Sequence, residues 1–281
     1  MPDNLKSELP PSFTFSQSSL QNYFDCPRRF QLRYIERLAW PSVETEPVLE
    51  NERRQQEGQL FHHMVQQHLV GLPVEKLTRL ASTPDLLRWW KNYLNHDFNF
   101  SGYAQYTELT VAAPVGTHRL LAKYDLIAIS PIQKALIIDW KTTHKRPRDE
   151  WIAVRMQTRL YRALLVQAGA YLNRGTPIQP EQVEMIYWYA DFPSEPASFS
   201  YNPAQYKHDW DDLTGMINEI GHHRHFPLTE DEKKCTYCPF RSYCNRGRKA
   251  GIFVLEDAEE EREVNSIEFN LHYEQIAEIE F

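Results

Sequence analysis

The order of hydrophobic and polar positions predicts a chain of helices interrupted by strands. Apolar residues recur every three or four positions in four stretches, which predicts helices over 53–70, 84–95, 149–172 and 203–220. Two shorter helices are predicted near the N-terminus, one capped by Ser16 or Ser18 and one beginning at Pro27. Strands are predicted over 107–112, 119–129, 134–141 and 183–190, and a loop over 1–15. This order is typical of an α/β fold, with a sheet core and a helical flank.

Aromatic residues at helical spacing are predicted to pack inside the protein rather than to stack on bases. Trp89, Trp90 and Tyr93 are assigned to the core on this ground. In the helix capped by Ser16 or Ser18, the predicted apolar side carries Leu20, Tyr23 and Phe24.

Composition supports a folded protein that works in water. Of the 281 residues 42% are hydrophobic and 25% are charged, which excludes a wholly disordered chain. No apolar run reaches 18 residues and the N-terminus is polar, so neither a membrane span nor a secretion signal is predicted, and the cytoplasm is the expected location.

The negative net charge is concentrated at one end of the chain. Residues 256–281 hold ten acids and one base, so the other 255 residues carry a formal charge of +2 within a total of −7. A solvated acidic segment or a shield over a basic groove would both explain this pattern. The net charge therefore does not exclude nucleic acid as a partner.

Four cysteines suggest one metal or cluster site. Cys235, Cys238 and Cys244 form C-x2-C-x5-C, and Cys26 lies far upstream. Uneven spacing of this kind favours an iron–sulfur cluster over zinc, which usually takes two short-range pairs. Unrelated core cysteines are the third interpretation. Nearby histidines are alternative ligands, although four thiols already complete a site: His222, His223 and His225.

The sequence ALIIDWKTT carries the main chemical signal. Asp139 and Lys141 are two residues apart in a predicted strand, so both lie on one face. Asp125 belongs to the preceding strand, and an antiparallel pairing of the two strands would bring both carboxylates to one divalent cation. Magnesium or manganese held there would activate water against a phosphodiester, with Lys141 stabilising the developing charge. A surface Asp–Lys pair is the simpler alternative.

Further residues strengthen the interpretation of Asp139 and Lys141 as part of a metal-dependent active site. EGQLFHHMVQQ places Gly58 and His62 on one helix, MQTRLYRAL places Gln157 and Tyr161 on one helix face, and Glu108 opens the strand before Asp125. Each has a simpler explanation, such as a surface histidine or a tyrosine at the edge of the core. Basic residues cluster around the helix that carries Gln157 and Tyr161, and they indicate either a solvated face or contacts to DNA phosphates. These residues are Lys145, Arg146, Arg148, Arg155, Arg159 and Arg162.

Together these motifs resemble the PD-(D/E)xK nuclease superfamily, and more narrowly its RecB-like iron–sulfur exonucleases, which include CRISPR-associated exonucleases and the AddB nuclease domain. The resemblance runs from SQSSLQNYFDCPRRFQLRY to CTYCPFRSYC. It implies a restriction-endonuclease-like core, a central mixed sheet flanked by helices, and a helical iron–sulfur subdomain formed by both chain ends. Ala122 departs from it, because the family usually has glycine three residues before the second-motif aspartate.

The resemblance also implies roles for individual residues. The implied metal ligands are His62, Asp125, Asp139 and the backbone carbonyl of Trp140, for Mg²⁺ or Mn²⁺. The implied catalytic set is Asp125, Asp139, Lys141, Gln157 and Tyr161. DNA would be bound by Gln157, Tyr161, Lys145, Arg155 and Arg159. A 4Fe-4S cluster would be held by Cys26, Cys235, Cys238 and Cys244.

The predicted domains follow from the same resemblance: an N-terminal part of the iron–sulfur subdomain over 12–52, a nuclease core over 53–202, the C-terminal part of the subdomain over 203–255, and the acidic segment over 256–281. The expected activity is metal-dependent hydrolysis of DNA single strands or ends in repair, recombination or CRISPR adaptation, with a helicase or another repair or CRISPR protein as possible partner and no membrane. A non-cleaving DNA-end-binding module is the alternative.

Overall fold

The computed structural model describes residues 8–38, 46–130, 134–235 and 238–246. The acidic segment 256–281, whose role the sequence leaves open, lies outside the described residues. The strands are β1 (Thr14–Ser16), β2 (Ala104–Val115), β3 (His118–Ser130), β4 (Lys134–Lys141), β5 (Val183–Tyr189) and β6 (Phe192–Ser200). The α-helices are α1 (Gln17–Asp25), α2 (Pro27–Phe30), α3 (Glu46–Leu69), α4 (Val74–Thr78), α5 (Pro84–Asn95), α6 (Asp149–Ala153), α7 (Met156–Ala168) and α8 (Pro203–His222).

The strands form one mixed sheet in the order β1-β3-β4-β5-β6, with β2 also paired to β3. β3 and β4 are antiparallel, β4 and β5 parallel, and β5 and β6 antiparallel. β4 lies between two other strands, which explains its run of apolar residues from Ala135 to Ile138. The predicted antiparallel pairing of β3 and β4 is confirmed.

Local sequence accounts for where helices begin. Ser16 caps α1 through a reciprocal pair of hydrogen bonds with Ser19. Thr83 caps α5, whose first residue is Pro84. The buried face of α5 carries the predicted core aromatics Trp89, Trp90 and Tyr93. That assignment is confirmed: they pack with residues of α3, β4 and β5.

The predicted single helix over 149–172 is wrong. α6 ends at Ala153, Arg155 adopts an extended conformation, and α7 begins at Met156. The Thr158 hydroxyl donates a hydrogen bond to the Ile152 carbonyl at 2.5 Å, and a continuous helix would need that carbonyl for the N–H of Met156. Beyond α7 the chain tightens into a 3₁₀ helix over Gly169–Asn173.

Three other local expectations are corrected. Residues 1–15 are not all loop, because β1 begins at Thr14. Phe24 is 60% exposed and does not share the buried side of α1 with Leu20 and Tyr23. β6, which the sequence did not predict, carries two prolines, and proline is tolerated on an edge strand such as this one.

The chain divides into two compact units. Of the described residues, unit 1 comprises 8–38, 114–120, 212–235 and 238–246, and unit 2 comprises 46–113, 121–130 and 134–211. In unit 1 the segment 8–38 packs against the segment 212–235: the Tyr23 hydroxyl donates to the Glu219 carboxylate at 2.9 Å, and Phe30 stacks on Phe226. Unit 2 contains β4, β5 and α3 to α7. Within the described ranges no helix has the length and apolar character needed to cross a bilayer.

Candidate active site and metal centre

Strand pairing brings two carboxylates of unit 2 to the same end of the sheet. The antiparallel register of β3 and β4 includes Leu126 opposite Ile138, and Asp125 and Asp139 are the next residues on the two strands. The Asp125 carboxylate accepts a hydrogen bond from the backbone N–H of Trp140 at 2.8 Å. The carbonyl of Trp140 was the predicted ligand, and it is the N–H of the same residue that fixes Asp125.

Asp139 and Lys141 form a buried group with Gln157. The Lys141 ammonium lies 2.9 Å from one oxygen of Asp139, which is only 2% exposed. The other oxygen accepts a hydrogen bond from the Gln157 amide at 2.6 Å, and the Gln157 carbonyl oxygen accepts one from Lys141 at 3.3 Å. Gln157, predicted both as a catalytic residue and as a DNA contact, contacts both members of the D-x-K pair in the structure.

α3 delivers His62 to the same end of the sheet. His62 Nδ1 lies 3.3 Å from the Asp125 carboxylate. Four residues earlier, a Cβ atom built on Gly58 would lie 2.9 Å from the Thr142 hydroxyl oxygen, closer than real Cβ contacts come. Glycine at position 58 therefore allows α3 to approach Thr142 closely. Because His62 lies four residues further along the same helix, this close approach sets the position of His62.

Glu108 lies beside His62 and Asp125, although the sequence did not assign it as a metal ligand. Ligand atoms of His62, Glu108 and Asp125 all lie within 4.8 Å of one another. Glu108 has a left-handed backbone, with φ of 53° inside β2, and its carboxylate forms an ion pair with Lys123 at 2.6 Å. A non-glycine residue held in that region is strained, and such strain is found often at functional sites. A strand glutamate carries no sequence signal for this geometry.

The electrostatics of the site reflect burial opposed by close charges. Burial lowers the pKa of His62, but Asp125, Glu108 and Asp139 outweigh it and raise that pKa to about 9. Burial raises the pKa of Asp139 to about 6, Asp125 adds to the effect, and Lys141 opposes it. For Asp125 burial is outweighed by His62 and by the Trp140 N–H, so its pKa lies below the ordinary value.

These donors fit a hard divalent cation. Carboxylate oxygens are ligands that suit both magnesium and manganese. The carboxylates of Glu108 and Asp125 lie with His62, and the carboxylate of Asp139 is close enough to contribute to the raised pKa of His62. His62 and Asp125, both predicted ligands, therefore lie side by side, while Asp139 contacts Lys141 and Gln157.

The remaining predicted DNA contacts are divided between the interior and the surface. Tyr161 is buried beside Tyr124, whose hydroxyl donates to the Tyr161 carbonyl. Arg159 forms an ion pair with Asp209 at 2.6 Å, and Arg162 is buried with its guanidinium on the Ser200 carbonyl. The other basic residues lie before α7: Lys145 and Arg148 are exposed, and Arg146 and Arg155 are half-buried.

A second group of candidate residues lies in unit 1. All four cysteines are free thiols and line one pocket. The same pocket is lined by three basic side chains, Arg29, Lys234 and Arg241. Cys26 precedes Pro27 at the start of α2, so the turn between α1 and α2 brings it to the other three. Free, converging thiols with cationic neighbours fit a thiolate-bound metal or cluster.

Comparison with protein families identifies the chain. The model described as the PD-(D/E)XK nuclease superfamily matches residues 14–245. The chain belongs to this superfamily. No curated protein matches it in sequence.

Two solved structures resemble the chain at low identity. A protein from Eubacterium rectale named "Putative exonuclease" is 8% identical over 86% of this chain and 92% of its own, with a TM-score of 0.49. SSO0001 is 13% identical over 84% of this chain and 87% of its own, with a TM-score of 0.36. At these TM-scores neither likeness bears on activity.

Membership of the superfamily explains the mixed sheet flanked by helices and the acidic site at its end. PD-(D/E)XK nucleases are phosphodiesterases that use divalent metal ions. The alanine at position 122 is compatible with this fold, because β3 runs through it as a buried strand without a positive φ.

Proposed function

We propose that the chain is a divalent-metal-dependent deoxyribonuclease that acts on single strands or DNA ends, as the RecB-like iron–sulfur exonucleases do. Repair, recombination and CRISPR adaptation are the processes in which such an activity would serve, with a helicase or another repair or CRISPR protein as partner. The observation that supports this proposal best is the buried contact of Asp139 with Lys141 and Gln157, beside the group formed by His62, Glu108 and Asp125.

The residues have separable roles in this proposal. His62, Glu108 and Asp125 would hold Mg²⁺ or Mn²⁺ together with Asp139 and the carbonyl of Trp140. A bound divalent cation would offset charge on the phosphate and lower the pKa of a coordinated water.

Lys141 would stabilise negative charge that develops on the phosphate, since a fixed ammonium in a buried site acts more strongly than in water. Gln157 would keep Asp139 and Lys141 in place through its two hydrogen bonds. Tyr161, Lys145, Arg155 and Arg159 remain proposed contacts to DNA.

Cleavage of end-labelled DNA tests the proposal. Purified protein with Mn²⁺ should shorten single strands labelled at either the 5′ or the 3′ end, and the comparison with a circular strand separates end-directed from internal cleavage. Asp139→Asn and Lys141→Met should each lower the rate at least about a hundredfold, and Glu184→Gln, at a half-buried position of the same unit outside the site, should not. Binding without any product would favour the non-cleaving DNA-end-binding module.

We also propose that Cys26, Cys235, Cys238 and Cys244 hold a 4Fe-4S cluster with a structural role. The support is their convergence on one pocket although Cys26 lies 209 positions before Cys235. A link between such distant residues would stabilise the fold by roughly 4–5 kcal/mol in a cross-link model.

Anaerobically purified protein should be brown and contain about four irons per chain. Cys26→Ser should lose both the colour and thermal stability. Colourless protein containing one zinc would contradict the cluster and support a zinc site.

A further inference from the structure

An exposed tryptophan lies just before the helix that carries Gln157. Trp151 is 60% exposed in α6, and Val154, the residue after the end of that helix, is 71% exposed. Four other tryptophans, at positions 89, 90, 140 and 188, are buried. A large ring left in water forgoes the free energy of burial, so an exposed pair of this kind points to a contact with a partner.

A chain of buried polar contacts connects this surface to the candidate active site. The next residue, Ile152, is buried, and its carbonyl accepts a hydrogen bond from the Thr158 hydroxyl. The Thr158 oxygen in turn accepts from the Tyr187 hydroxyl at 2.8 Å, and the Tyr187 oxygen lies 3.4 Å from the Gln157 carbonyl oxygen. Because these contacts lie in the interior of unit 2, Trp151 is presented by a fixed backbone rather than by a loose loop.

The charges around Trp151 favour an anionic partner. The Arg148 guanidinium lies over the indole ring, 5.5 Å from its centroid, and Lys145 is exposed nearby in the chain. Residues 145–155 contain four bases and two acids, and one of those acids, Asp149, is bound by Arg146 at 2.7 Å. Glu150 is exposed and its negative charge opposes the positive charge of these bases, but residues 145–155 remain net positive.

We propose that Trp151 is a stacking platform for a nucleobase of single-stranded DNA, with Arg148 and Lys145 contacting the neighbouring phosphates. This inference rests on the proposed function and adds the feature that selects unpaired DNA. Arg148 covers one face of the indole, and the base stacks on the other. A duplex offers no free base face along its length, so the platform distinguishes single strands from duplex.

Equilibrium binding tests the platform without any cleavage. Fluorescence anisotropy of labelled oligothymidine is measured with the intact protein in EDTA. Trp151→Ala should weaken binding about tenfold, while Trp151→Phe, which keeps an aromatic face, should weaken it less than about threefold. Tyr171→Ala removes another exposed aromatic ring of unit 2, 59% exposed, and should leave the affinity unchanged.

Two further substrates isolate stacking from charge. A circularised duplex without ends should bind equally to wild type and Trp151→Ala, because phosphate contacts remain. An oligonucleotide of abasic sugars should bind wild type about tenfold more weakly than oligothymidine, and it should show no difference between wild type and Trp151→Ala.

Several outcomes would overturn the platform. These are an unchanged affinity of Trp151→Ala for oligothymidine, equal losses for single strands and duplex, equal losses for the Ala and Phe variants, and no binding of single strands by wild type. An unchanged affinity would assign this surface to a protein or lipid partner instead.

Cleavage with Mn²⁺ is measured separately from binding. If the protein cuts DNA while Trp151→Ala binds normally, only the platform is refuted. If the protein binds through Trp151 without cutting, only the nuclease proposal is refuted.

Discussion

At the scale of single residues, Gly58 shows how one missing Cβ atom sets the position of a functional side chain. An added methyl group would meet the Thr142 hydroxyl oxygen at 2.9 Å, and threonine is stiff at its first side-chain torsion. α3 would have to move away from the end of β4, and His62 would move with it.

We therefore expect Gly58→Ala to weaken Mn²⁺ binding at least about tenfold, since small misplacements of site residues are costly. The free energy of unfolding should change little, because alanine favours the helix by about 1 kcal/mol and offsets part of the steric cost. Titration calorimetry and urea unfolding measure the two quantities. Adding Thr142→Ala should restore most of the affinity, and a double variant no better than Gly58→Ala would refute the steric explanation.

Glu108 is a second residue whose role depends on backbone geometry. Its positive φ directs the carboxylate toward His62 and Asp125, where it also pairs with Lys123. Glu108→Gln keeps the size of the side chain but removes its charge, so Mn²⁺ affinity should fall at least about tenfold. Glu184→Gln is the matched control, because Glu184 also pairs with a strand lysine, Lys134, outside the site. Equal affinities of the two variants would remove Glu108 from the metal centre.

At the scale of elements, the break between α6 and α7 is held by one hydroxyl. Thr158 is fully buried and bonds both to the Ile152 carbonyl and to Tyr187. Thr158→Val has nearly the same shape but leaves these groups without their partner, so the free energy of unfolding should fall by about 1–3 kcal/mol. Urea unfolding measures this change. Thr110→Val, at an exposed position of β2, should change it by less than about 0.5 kcal/mol.

The elements also show what a sequence pattern can and cannot predict. β3, β4 and α5 followed from local periodicity and capping, because the residues that determine them are adjacent in the chain. The break at Arg155 did not, since it depends on a side chain that competes for a helix carbonyl. The edge strand β6 was missed because its prolines resemble a loop until the pairing with β5 is known.

The same distinction holds for the candidate site. The D-x-K pair and the G-x3-H motif could be recognised in the sequence because each lies within one strand or helix. The sequence placed Glu108 at the start of the strand before Asp125, but its position beside His62 and Asp125 depends on the pairing of β2 with β3, and its φ has no local signature. Charge alone was also ambiguous: Arg159 and Arg162 belong to the basic run, yet both contact groups of their own unit.

At the scale of the whole molecule, the candidate site makes the free energy of unfolding and the affinity for metal depend on pH. In the metal-free protein the pKa of His62 is raised from 6.5 to about 9, because Asp125, Glu108 and Asp139 outweigh the effect of burial. A histidine whose pKa rises on folding stabilises the fold fully below its unfolded pKa, and this contribution is lost as pH rises through the folded value. The unfolding free energy should therefore fall between pH 6.5 and about 9, and His62→Gln should lack this fall. Asp139, with a pKa of about 6, affects the range below that window.

The same proton should be released when metal binds. An imidazole that ligates a cation is neutral, so binding near neutral pH must displace the proton that His62 carries. Calorimetric titration with Mn²⁺ in two buffers of different ionisation enthalpy should give about one proton released per ion in the wild type. Asp139 contributes little to this count because its carboxyl is already largely ionised above pH 7. His62→Gln should bind more weakly and release almost none, and an equal release from both proteins would mean that another group, not His62, faces the cation.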